Sequence, residues 1–307
     1  MIEQPLVSFV MNCYNGEKFL CRSLDSIKNQ TYNNWELIFW DNCSTDRSKE
    51  IMLSYKEPRF RYFKSEKNVN LGQARAWAVD VCKGKYIAFL DVDDEWYPEK
   101  TEIQVREMSK DDYVLSVTGV LCINEDNGKD RRPFIIPHES GYLFERELTQ
   151  FDINMPAAMV KRTALLEKNL NFDPEIHASE EYCLFMQLMY GEKVCIIKDI
   201  LANYNIRYNS LTNKAIERWY IERFHTLDRI IASHPEAEDK YPDAFRIAKA
   251  RGNYYKARYL MSLNKKKEAR KILYSIKDVD YRYKILFILS FFPKNIWNLV
   301  HQKRNMR

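Results

Sequence analysis

The first 120 residues alternate short apolar runs with amphipathic segments, and this alternation limits the fold more than any other feature of the sequence. Continuous apolar runs predict buried strands, whereas apolar residues three or four apart predict helices packed on them. Strands are predicted at residues 6–11, 36–40, 61–63, 86–90, 113–120 and 155–160, and helices around 19–27 and at 71–81 and 179–190. The fold class is therefore α/β, with a mainly parallel sheet covered by helices on both faces.

The carboxyl ends of the predicted parallel strands should meet at one edge of the sheet, because crossover connections between parallel strands are right-handed. Proteins of the α/β class bind their ligands at this edge. Polar residues follow the apolar runs that end at Met11, Trp40 and Leu90. We therefore expect the chemistry of the protein at this edge.

Three carboxylates follow the strand predicted at 86–90, namely Asp91, Asp93 and Asp94. Acids this close together repel one another and raise each other's pKa. A divalent cation relieves the repulsion, and Mg²⁺ or Mn²⁺ held by one or two carboxylates and by substrate phosphates fits the spacing. The alternative is that these acids only lead into a helix near Pro98 and face solvent.

Three further polar or aromatic residues follow the first two predicted strands. Asn12 and Tyr14 follow the first strand, and Asp41 follows the second. A carboxylate can accept a hydrogen bond from a base, and an aromatic ring can stack on one. Arg75, on the helix predicted at 71–81, could meet Asp41 or a phosphate, although a surface salt bridge is an equal alternative. Together these residues indicate a nucleotide pocket.

Four sequence blocks resemble the successive motifs of family 2 glycosyltransferases with the GT-A fold. They are VSFVMNCYN from Val7, WDNCSTD from Trp40, NLGQAR ending at Arg75, and FLDVDD from Phe89. The resemblance implies a GT-A fold, which is a Rossmann-like nucleotide-diphospho-sugar transferase fold. It also implies an inverting, metal-dependent transfer of a hexose or N-acetylhexosamine from a nucleotide-diphosphate sugar, most simply a UDP-sugar, to an acceptor hydroxyl.

The resemblance assigns roles to individual residues. Tyr14 and Asp41 would hold the uracil, and Asp93 and Asp94 would contact the ribose and the metal, which is Mn²⁺ or Mg²⁺. The nucleotide-sugar-binding set is then Asn12, Tyr14, Asp41, Arg75, Asp91 and Asp93. The implied acceptor is a glycan or a lipid-linked glycan of the bacterial surface, such as a capsule or a lipopolysaccharide.

The general base of the resembled family opens a helix in an acidic block, which here is SEEY at 179–182 and places the base at Glu181. Glutamate replaces the usual aspartate and keeps the proton chemistry. Leu184, Phe185 and Leu188 lie three, four and seven residues further on, so Glu181 heads the apolar stripe of the helix. The alternative role is an ordinary first-turn acid stabilised by the helix dipole.

A second departure from the family pattern lies in the segment YNIRYNS at 204–210. Relatives often have an arginine and a histidine near the diphosphate, where this chain has Asn205 and Arg207. We therefore predict Arg207 as a diphosphate contact.

The sequence predicts two domains. Residues 1–212 form the transferase domain, with a nucleotide-sugar-binding half at 1–120 and an acceptor-binding half at 121–212. Within the second half, 126–154 is predicted to be irregular. Residues 213–307 are predicted to be an all-helical, repeat-like extension.

The last 27 residues, 281–307, contain six Lys or Arg and no Asp or Glu. One hypothesis is a helical subdomain that packs on the main body. The other is an interfacial helix on an anionic membrane, with Phe292 and Trp297 in the lipid and basic residues near the headgroups. Those basic residues are Lys294, Lys303 and Arg304.

Composition narrows the partners and the compartment. The net charge of +5 comes with no basic, aromatic face in the first 200 residues, so no nucleic-acid partner is expected. Seven cysteines without a CxxC pair indicate reduced thiols. No secretory signal is visible, and the apolar segment at 285–292 is shorter than the ~20 residues that span a bilayer. The expected location is the cytoplasm or the inner face of the cytoplasmic membrane.

Two other functions compete with glycosyl transfer. A strand ending in Asp-x-Asp also occurs in haloacid-dehalogenase phosphatases, where one aspartate is the nucleophile. That family has Thr or Val where this chain has Glu95, and its motif lies on the first strand. The second alternative is an inactive transferase-like domain that serves as a scaffold.

Overall fold

The computed structural model describes residues 4–125, 130–207 and 215–292 together with residue 297. The chain forms two compact units, one made of residues 1–147 and 151–210 and the other of residues 148–150 and 211–307. The predicted boundary between residues 212 and 213 lies outside the described residues. The division of 1–212 into donor and acceptor halves stays a prediction.

Within the described residues, nine strands of the first unit form one sheet. They are β1 (Val7–Cys13), β2 (Trp35–Asp41), β3 (Phe60–Lys64), β4 (Tyr86–Phe89), β5 (Glu95–Trp96), β6 (Tyr113–Asn124), β7 (Arg131–Phe134), β8 (Ala158–Lys161) and β9 (Lys193–Ile206). The order across the sheet is β3-β2-β1-β4-β8-β6-β9-β5, and β7 pairs with β6. Because β2 and β4 are both parallel to β1, the carboxyl ends of these three strands meet at one edge, as predicted.

Helices of the first unit connect these strands, and helices make up the second unit. In chain order they are α1 (Leu20–Lys28), α2 (Ser48–Ser54), α3 (Leu71–Asp80), α4 (Lys100–Met108), α5 (Phe144–Thr149), α6 (Arg162–Glu167), α7 (Glu180–Leu188), α8 (Ile216–Ser233), α9 (Ala237–Lys240), α10 (Pro242–Ser262), α11 (Lys266–Ile276) and α12 (Tyr281–Leu289). The predicted α/β class with C-terminal helices is confirmed.

The second half of the sheet is mixed in direction. β8 is antiparallel to both β4 and β6, whereas β6 and β9 are parallel. The predicted strand at 155–160 begins instead as a 3-10 turn over Met155–Ala157, so only its last part is strand. An apolar run shows that a strand is buried, but strand direction depends on how the connections are routed.

The predicted irregular segment at 126–154 contains β7 and α5, so that part of the prediction is wrong. β7 pairs with β6 from Val120↔Phe134 to Ile123↔Arg131. Its sequence, Arg-Arg-Pro-Phe, shows no apolar alternation. Pairing with a long neighbouring strand therefore stabilises β7, and a local pattern could not reveal it.

The second unit has a core of its own. α10 contacts both α8 and α11. The buried residues of this core include Tyr254, Leu260, Leu273, Leu286 and Trp297. Trp297 is only 4% exposed, so the prediction that its ring enters lipid is wrong. Lys294, Lys303 and Arg304 lie outside the described residues.

Gly72 allows α3 to approach the segment that leads to α7. A Cβ atom at this position would lie 2.6 Å from the carbonyl oxygen of Asp173 and 2.7 Å from that of Ile176. Both contacts are with backbone, which cannot move aside as a flexible side chain can. The absence of a side chain at Gly72 thus lets α3 pack closely against the segment that precedes α7.

Candidate active site

The acidic loop, which we define as residues 91–94, follows β4 and is held by hydrogen bonds from α1. The Ser23 hydroxyl lies 2.6 Å from the carbonyl oxygen of Val92 and 2.7 Å from that of Asp94. Arg22 donates to the carbonyl oxygen of Asp93 at 2.7 Å. Sequence analysis could not connect Arg22 and Ser23 with this loop, because about 70 residues separate them from it. These bonds hold the loop backbone and leave its carboxylates to other partners.

Asp94 is the most buried acid of the loop. Its side chain is 1% exposed, and Oδ1 accepts a hydrogen bond of 2.8 Å from the backbone N–H of Asn205. Burial, followed by the charges of Asp93 and Asp91, raises its pKa well above the usual range. Burial and Asp91 also raise the pKa of Asp93. Without a bound cation, burial and mutual repulsion therefore destabilise the ionised forms of Asp93 and Asp94.

The donor set of this loop fits a hard divalent cation. Carboxylate oxygens are the ligands that Mg²⁺ and Mn²⁺ prefer, and a cation would favour the charged forms that burial now disfavours. Asp93 already has one cationic neighbour, since it forms an ion pair with Arg207. Asp94 has no salt-bridge partner among the described residues.

A second acidic pair lies at the start of α7. Arg75 is 4% exposed and donates to Glu180 through Nη1 and to Asp91 through Nη2, the latter at 2.6 Å. Burial alone would lower the pKa of Arg75, but the charges of Asp91, Glu180 and Glu181 outweigh it and raise the pKa. Arg75 therefore stays charged and joins the acidic loop to the start of α7.

Glu181 stands beside this arrangement, and its side chain is half-buried. Burial, and then the charge of Glu180, raises the pKa of Glu181 to about 8, although Arg75 opposes the shift. A carboxylate that takes up a proton near neutral pH has the property expected of a general base. Burial, followed by the charges of Asp94 and Glu181, also raises the pKa of Tyr204.

Arg75 does not contact Asp41, which was one of the partners that the sequence analysis considered for it. Asp41 is 1% exposed, and its oxygens accept hydrogen bonds from the Tyr62 hydroxyl at 2.6 Å and from the Ser44 N–H at 2.7 Å. Sequence analysis missed Tyr62, which belongs to the poorly marked strand β3. Arg75 instead has Glu180 as its partner, 105 residues away in sequence.

Asn12 and Tyr14 lie where the sequence placed them, at the carboxyl end of β1. Tyr14 is 55% exposed, so its ring is accessible to solvent. The amide atoms of Asn12 are buried and have no hydrogen-bond partner among the described residues. A buried amide without a partner costs free energy that a hydrogen-bonding ligand would restore. The roles of Asn12, Tyr14 and Asp41 in binding a nucleotide stay predictions.

Arg207 lies at the end of β9, next to the acidic loop. Besides its ion pair with Asp93, its Nε lies 3.6 Å from Glu125, and its guanidinium carbon lies 4.0 Å from the centre of the Phe19 ring. The predicted contact with a diphosphate would place this cation beside the phosphates that the loop is expected to receive. That role stays a prediction.

Fold and site together define an α/β protein in which Arg75 joins an acidic loop, at the carboxyl edge of the sheet, to the start of α7, where the candidate base lies. Residues 8–167, just over half of the chain, match the family model described as Glycosyl transferase family 2. The chain therefore belongs to glycosyltransferase family 2. This membership removes the phosphatase alternative.

Two curated relatives cover most of their own length in the comparison. The putative teichuronic acid biosynthesis glycosyltransferase TuaG of Bacillus subtilis is 28% identical, over 72% of this chain and 90% of the relative. The Escherichia coli enzyme UDP-Glc:alpha-D-GlcNAc-diphosphoundecaprenol beta-1,3-glucosyltransferase WfgD is 29% identical, over 69% of this chain and 81% of the relative. Both relatives are named as glycosyltransferases, the first in putative teichuronic acid biosynthesis and the second with a diphosphoundecaprenol-linked acceptor.

A solved structure supports the fold. The structure of Staphylococcus aureus TarS residues 1–349 in complex with UDP-GlcNAc aligns with a TM-score of 0.69 and 18% identity, over 95% of this chain and 88% of that chain. At this identity the likeness shows the fold alone, which is the GT-A fold that the motifs imply.

Proposed function

We propose that this glycosyltransferase moves a sugar from a UDP-sugar to an acceptor hydroxyl of a bacterial surface glycan, with inversion at the anomeric carbon. The observation that carries the proposal is the bridge formed by Arg75. This one side chain binds Asp91 of the acidic loop and Glu180 of α7. A donor seated at the loop would therefore lie close to Glu181, the proposed base.

Asp93 and Asp94 would hold Mn²⁺ or Mg²⁺, and a bound ion would neutralise the negative charge that develops on the departing diphosphate. The chain's own residues orient that site. Asn205 fixes the carboxylate of Asp94, while Arg22 and Ser23 fix the loop backbone. Arg207 brings a further positive charge to the same place.

Glu181 would accept the proton of the acceptor hydroxyl. As the acceptor oxygen bonds to the anomeric carbon, the bond from that carbon to the diphosphate oxygen breaks, and UDP leaves with the bonding electrons. Attack from the face opposite the leaving group inverts the anomeric centre. Because the pKa of Glu181 is about 8, the carboxylate binds this proton more strongly than an ordinary glutamate does.

The name of the Escherichia coli relative supports a lipid-linked acceptor, because it gives an undecaprenol diphosphate substrate for that enzyme. None of the helices in the described residues combines the length and the apolar character needed to cross a bilayer. We propose instead that the protein binds the inner face of the cytoplasmic membrane peripherally through 281–307. The described part of this segment exposes Tyr281, Ile285, Ile288, Phe291 and Phe292. The first three lie at i, i+4 and i+7, on one face of α12.

A donor screen tests the proposed function. Release of UDP from a panel of UDP-sugars, including UDP-glucose and UDP-N-acetylglucosamine, is measured with and without Mn²⁺ or Mg²⁺. We expect release from at least one donor, only when a divalent ion is present. Absence of release from every donor, with Mn²⁺ and a lipid-linked acceptor supplied, would support the inactive-scaffold alternative instead.

A further inference from the structure

A cavity of about 600 Å³ lies beside the acidic loop and has no role in the proposed transfer step. Its size is within the range of small-molecule sites, which is roughly 300–1,000 Å³. Residues of α1, of the segment following the loop, and of β6 and β9 line it. The lining residues that matter most are Phe19, Arg22, Glu95, Tyr97, Asn203 and Asn205.

The cavity lies on the face of β9 opposite Tyr204. It meets the acidic loop at Arg207, which contacts Phe19 and Glu125 of the lining and pairs with Asp93. Successive side chains of a strand point to opposite faces, and Asn203 and Asn205 line the cavity. Tyr204 lies between them and therefore points the other way. Its raised pKa, due first to burial and then to the charges of Asp94 and Glu181, agrees with this direction. β6 repeats the arrangement, since Leu121 and Ile123 also line the cavity.

The charges around the cavity are balanced. Arg22 forms ion pairs with Glu95 at 3.1 Å and with Glu125 at 2.8 Å. Arg131 adds a second cation to the lining. Arg207 contacts Phe19 and Glu125 at the edge of the lining, but it is paired with Asp93. Arginines and acids are therefore equal in number around the cavity, so it favours neither an anion such as a phosphate nor a cation. A neutral polar ligand fits best.

The remaining groups fit a ligand that carries both hydroxyl groups and apolar C–H faces. The Tyr97 hydroxyl donates to Oδ1 of Asn203 at 3.1 Å, which fixes the orientation of that amide. Nδ2 of Asn203 has no hydrogen-bond partner among the described residues, so it can donate to a ligand oxygen. Phe19 and Tyr97 provide ring surfaces, and Leu121 and Ile123 provide aliphatic ones.

We propose that this cavity binds a neutral saccharide unit of the acceptor glycan, apart from the site of transfer. The proposal rests on the proposed function in assigning the saccharide to the acceptor. Asn205 donates to the carbonyl oxygen of Asp93 at 2.6 Å, and Arg22 donates to the same atom at 2.7 Å. Two groups of the cavity thus hold the backbone of the acidic loop, and a saccharide here would anchor a growing glycan next to the donor.

Saturation-transfer NMR on the full chain tests the proposal with glucose, N-acetylglucosamine and chitobiose as probes. We expect at least one probe to bind, and to stay bound when saturating UDP and Mn²⁺ are added. Asn203→Asp removes one donor and should weaken binding by about three- to tenfold. Tyr97→Ala removes a ring surface as well and should weaken it by about tenfold or more.

Matched control variants distinguish loss of binding at this cavity from loss caused by general disruption of the protein. Asn33→Asp and Tyr142→Ala change exposed residues of the same types that do not belong to the cavity lining, and binding should not change. Glu181→Gln should also leave probe binding unchanged. Absence of binding by all three probes, displacement by UDP, or equal binding to the Asn203 variant would overturn the proposal. Release of UDP is measured separately, so failure of the proposed function would show in that assay and not in probe binding.

Discussion

Two pairs of neighbouring acids, Asp93–Asp94 and Glu180–Glu181, meet different electrostatic conditions. In the helix pair, Glu180 is buried against the guanidinium of Arg75, a cation that the chain itself supplies. In the loop pair, Asp94 is equally buried but accepts only the neutral N–H of Asn205 among the described contacts. The buried carboxylate of Glu180 thus has a cationic partner, whereas the buried carboxylate of Asp94 has only a neutral hydrogen-bond donor.

This difference separates the two proposed roles. An acid pair with its own cation needs no metal, and its second member, Glu181, can gain and lose a proton near neutral pH. An acid pair without a full counter-charge is suited to an external ion. The chain therefore places its proposed base and its proposed metal site on either side of Arg75.

The largest expected effect is that of Asp94→Asn. We expect turnover to fall by about a thousandfold or more, because charge neutralisation by a metal contributes several kcal/mol. The amide keeps an oxygen that can accept from Asn205 and removes one of three repelling charges. The thermal unfolding temperature without metal should therefore stay the same or rise. A lower unfolding temperature would show that other groups of the protein already compensate the charge of the Asp94 carboxylate.

Glu181→Gln tests the proposed general base in the Glu180–Glu181 pair. We expect turnover to fall by ~10²–10⁴, the usual contribution of a positioned base. Donor binding should survive, as measured by UDP affinity in the presence of Mn²⁺. Glu167→Gln, an exposed change on α6, is the matched control and should leave turnover unchanged. Wild-type turnover in Glu181→Gln would remove this residue from the mechanism.

Removal of the internal cation tests the helix pair directly. Arg75→Met should lower the free energy of unfolding by about 3–5 kcal/mol, because it leaves Glu180 buried without its partner. Adding Glu180→Gln should recover part of the loss. The exposed Arg47→Met is the control, expected to change stability by less than about 0.5 kcal/mol. Chemical denaturation measures the free energy of unfolding of each variant. Equal losses in Arg75→Met and in Arg75→Met with Glu180→Gln would mean that Arg75 and Glu180 are not coupled.

The pH dependence of turnover follows from the pKa of about 8 at Glu181. A general base acts when it is deprotonated, so turnover at saturating substrates should rise with pH up to about 8 and then level off. Below that value it should fall by about tenfold per pH unit. Glu181→Gln should lose this dependence. A wild-type profile that is flat between pH 6 and 8 would contradict the assigned pKa.

The smallest expected effect concerns the second unit. Flotation of the full chain with anionic vesicles should decrease by about tenfold when Ile285→Ser and Ile288→Ser are combined, since both side chains are exposed on α12. Leu53→Ser with Leu166→Ser removes exposed apolar residues elsewhere and serves as the control. Failure of the wild type to float with anionic vesicles would end the proposal of peripheral membrane binding.

The acid pairs also show how far the sequence could predict this molecule. Apolar runs located β1, β2, β4 and β6 because their side chains are buried, and the acids that follow β4 were visible as a cluster. The partner of Arg75 was not predictable, since Glu180 is 105 residues away and only the fold brings it near. The antiparallel direction of β8 and the existence of the edge strand β7 were not predicted, for a similar reason. Each of these strands forms by pairing with other strands, and such pairing produces no periodic pattern of apolar residues in the strand itself.

Isothermal titration of UDP into the protein, with and without Mn²⁺, tests the central claim that the acidic loop binds a cation beneath a diphosphate. We predict that UDP binds wild-type protein only when Mn²⁺ is present, and that Asp94→Asn abolishes this dependence together with tight binding. Equal UDP affinity with Mn²⁺ and with a chelator, or unchanged affinity in Asp94→Asn, would contradict the account.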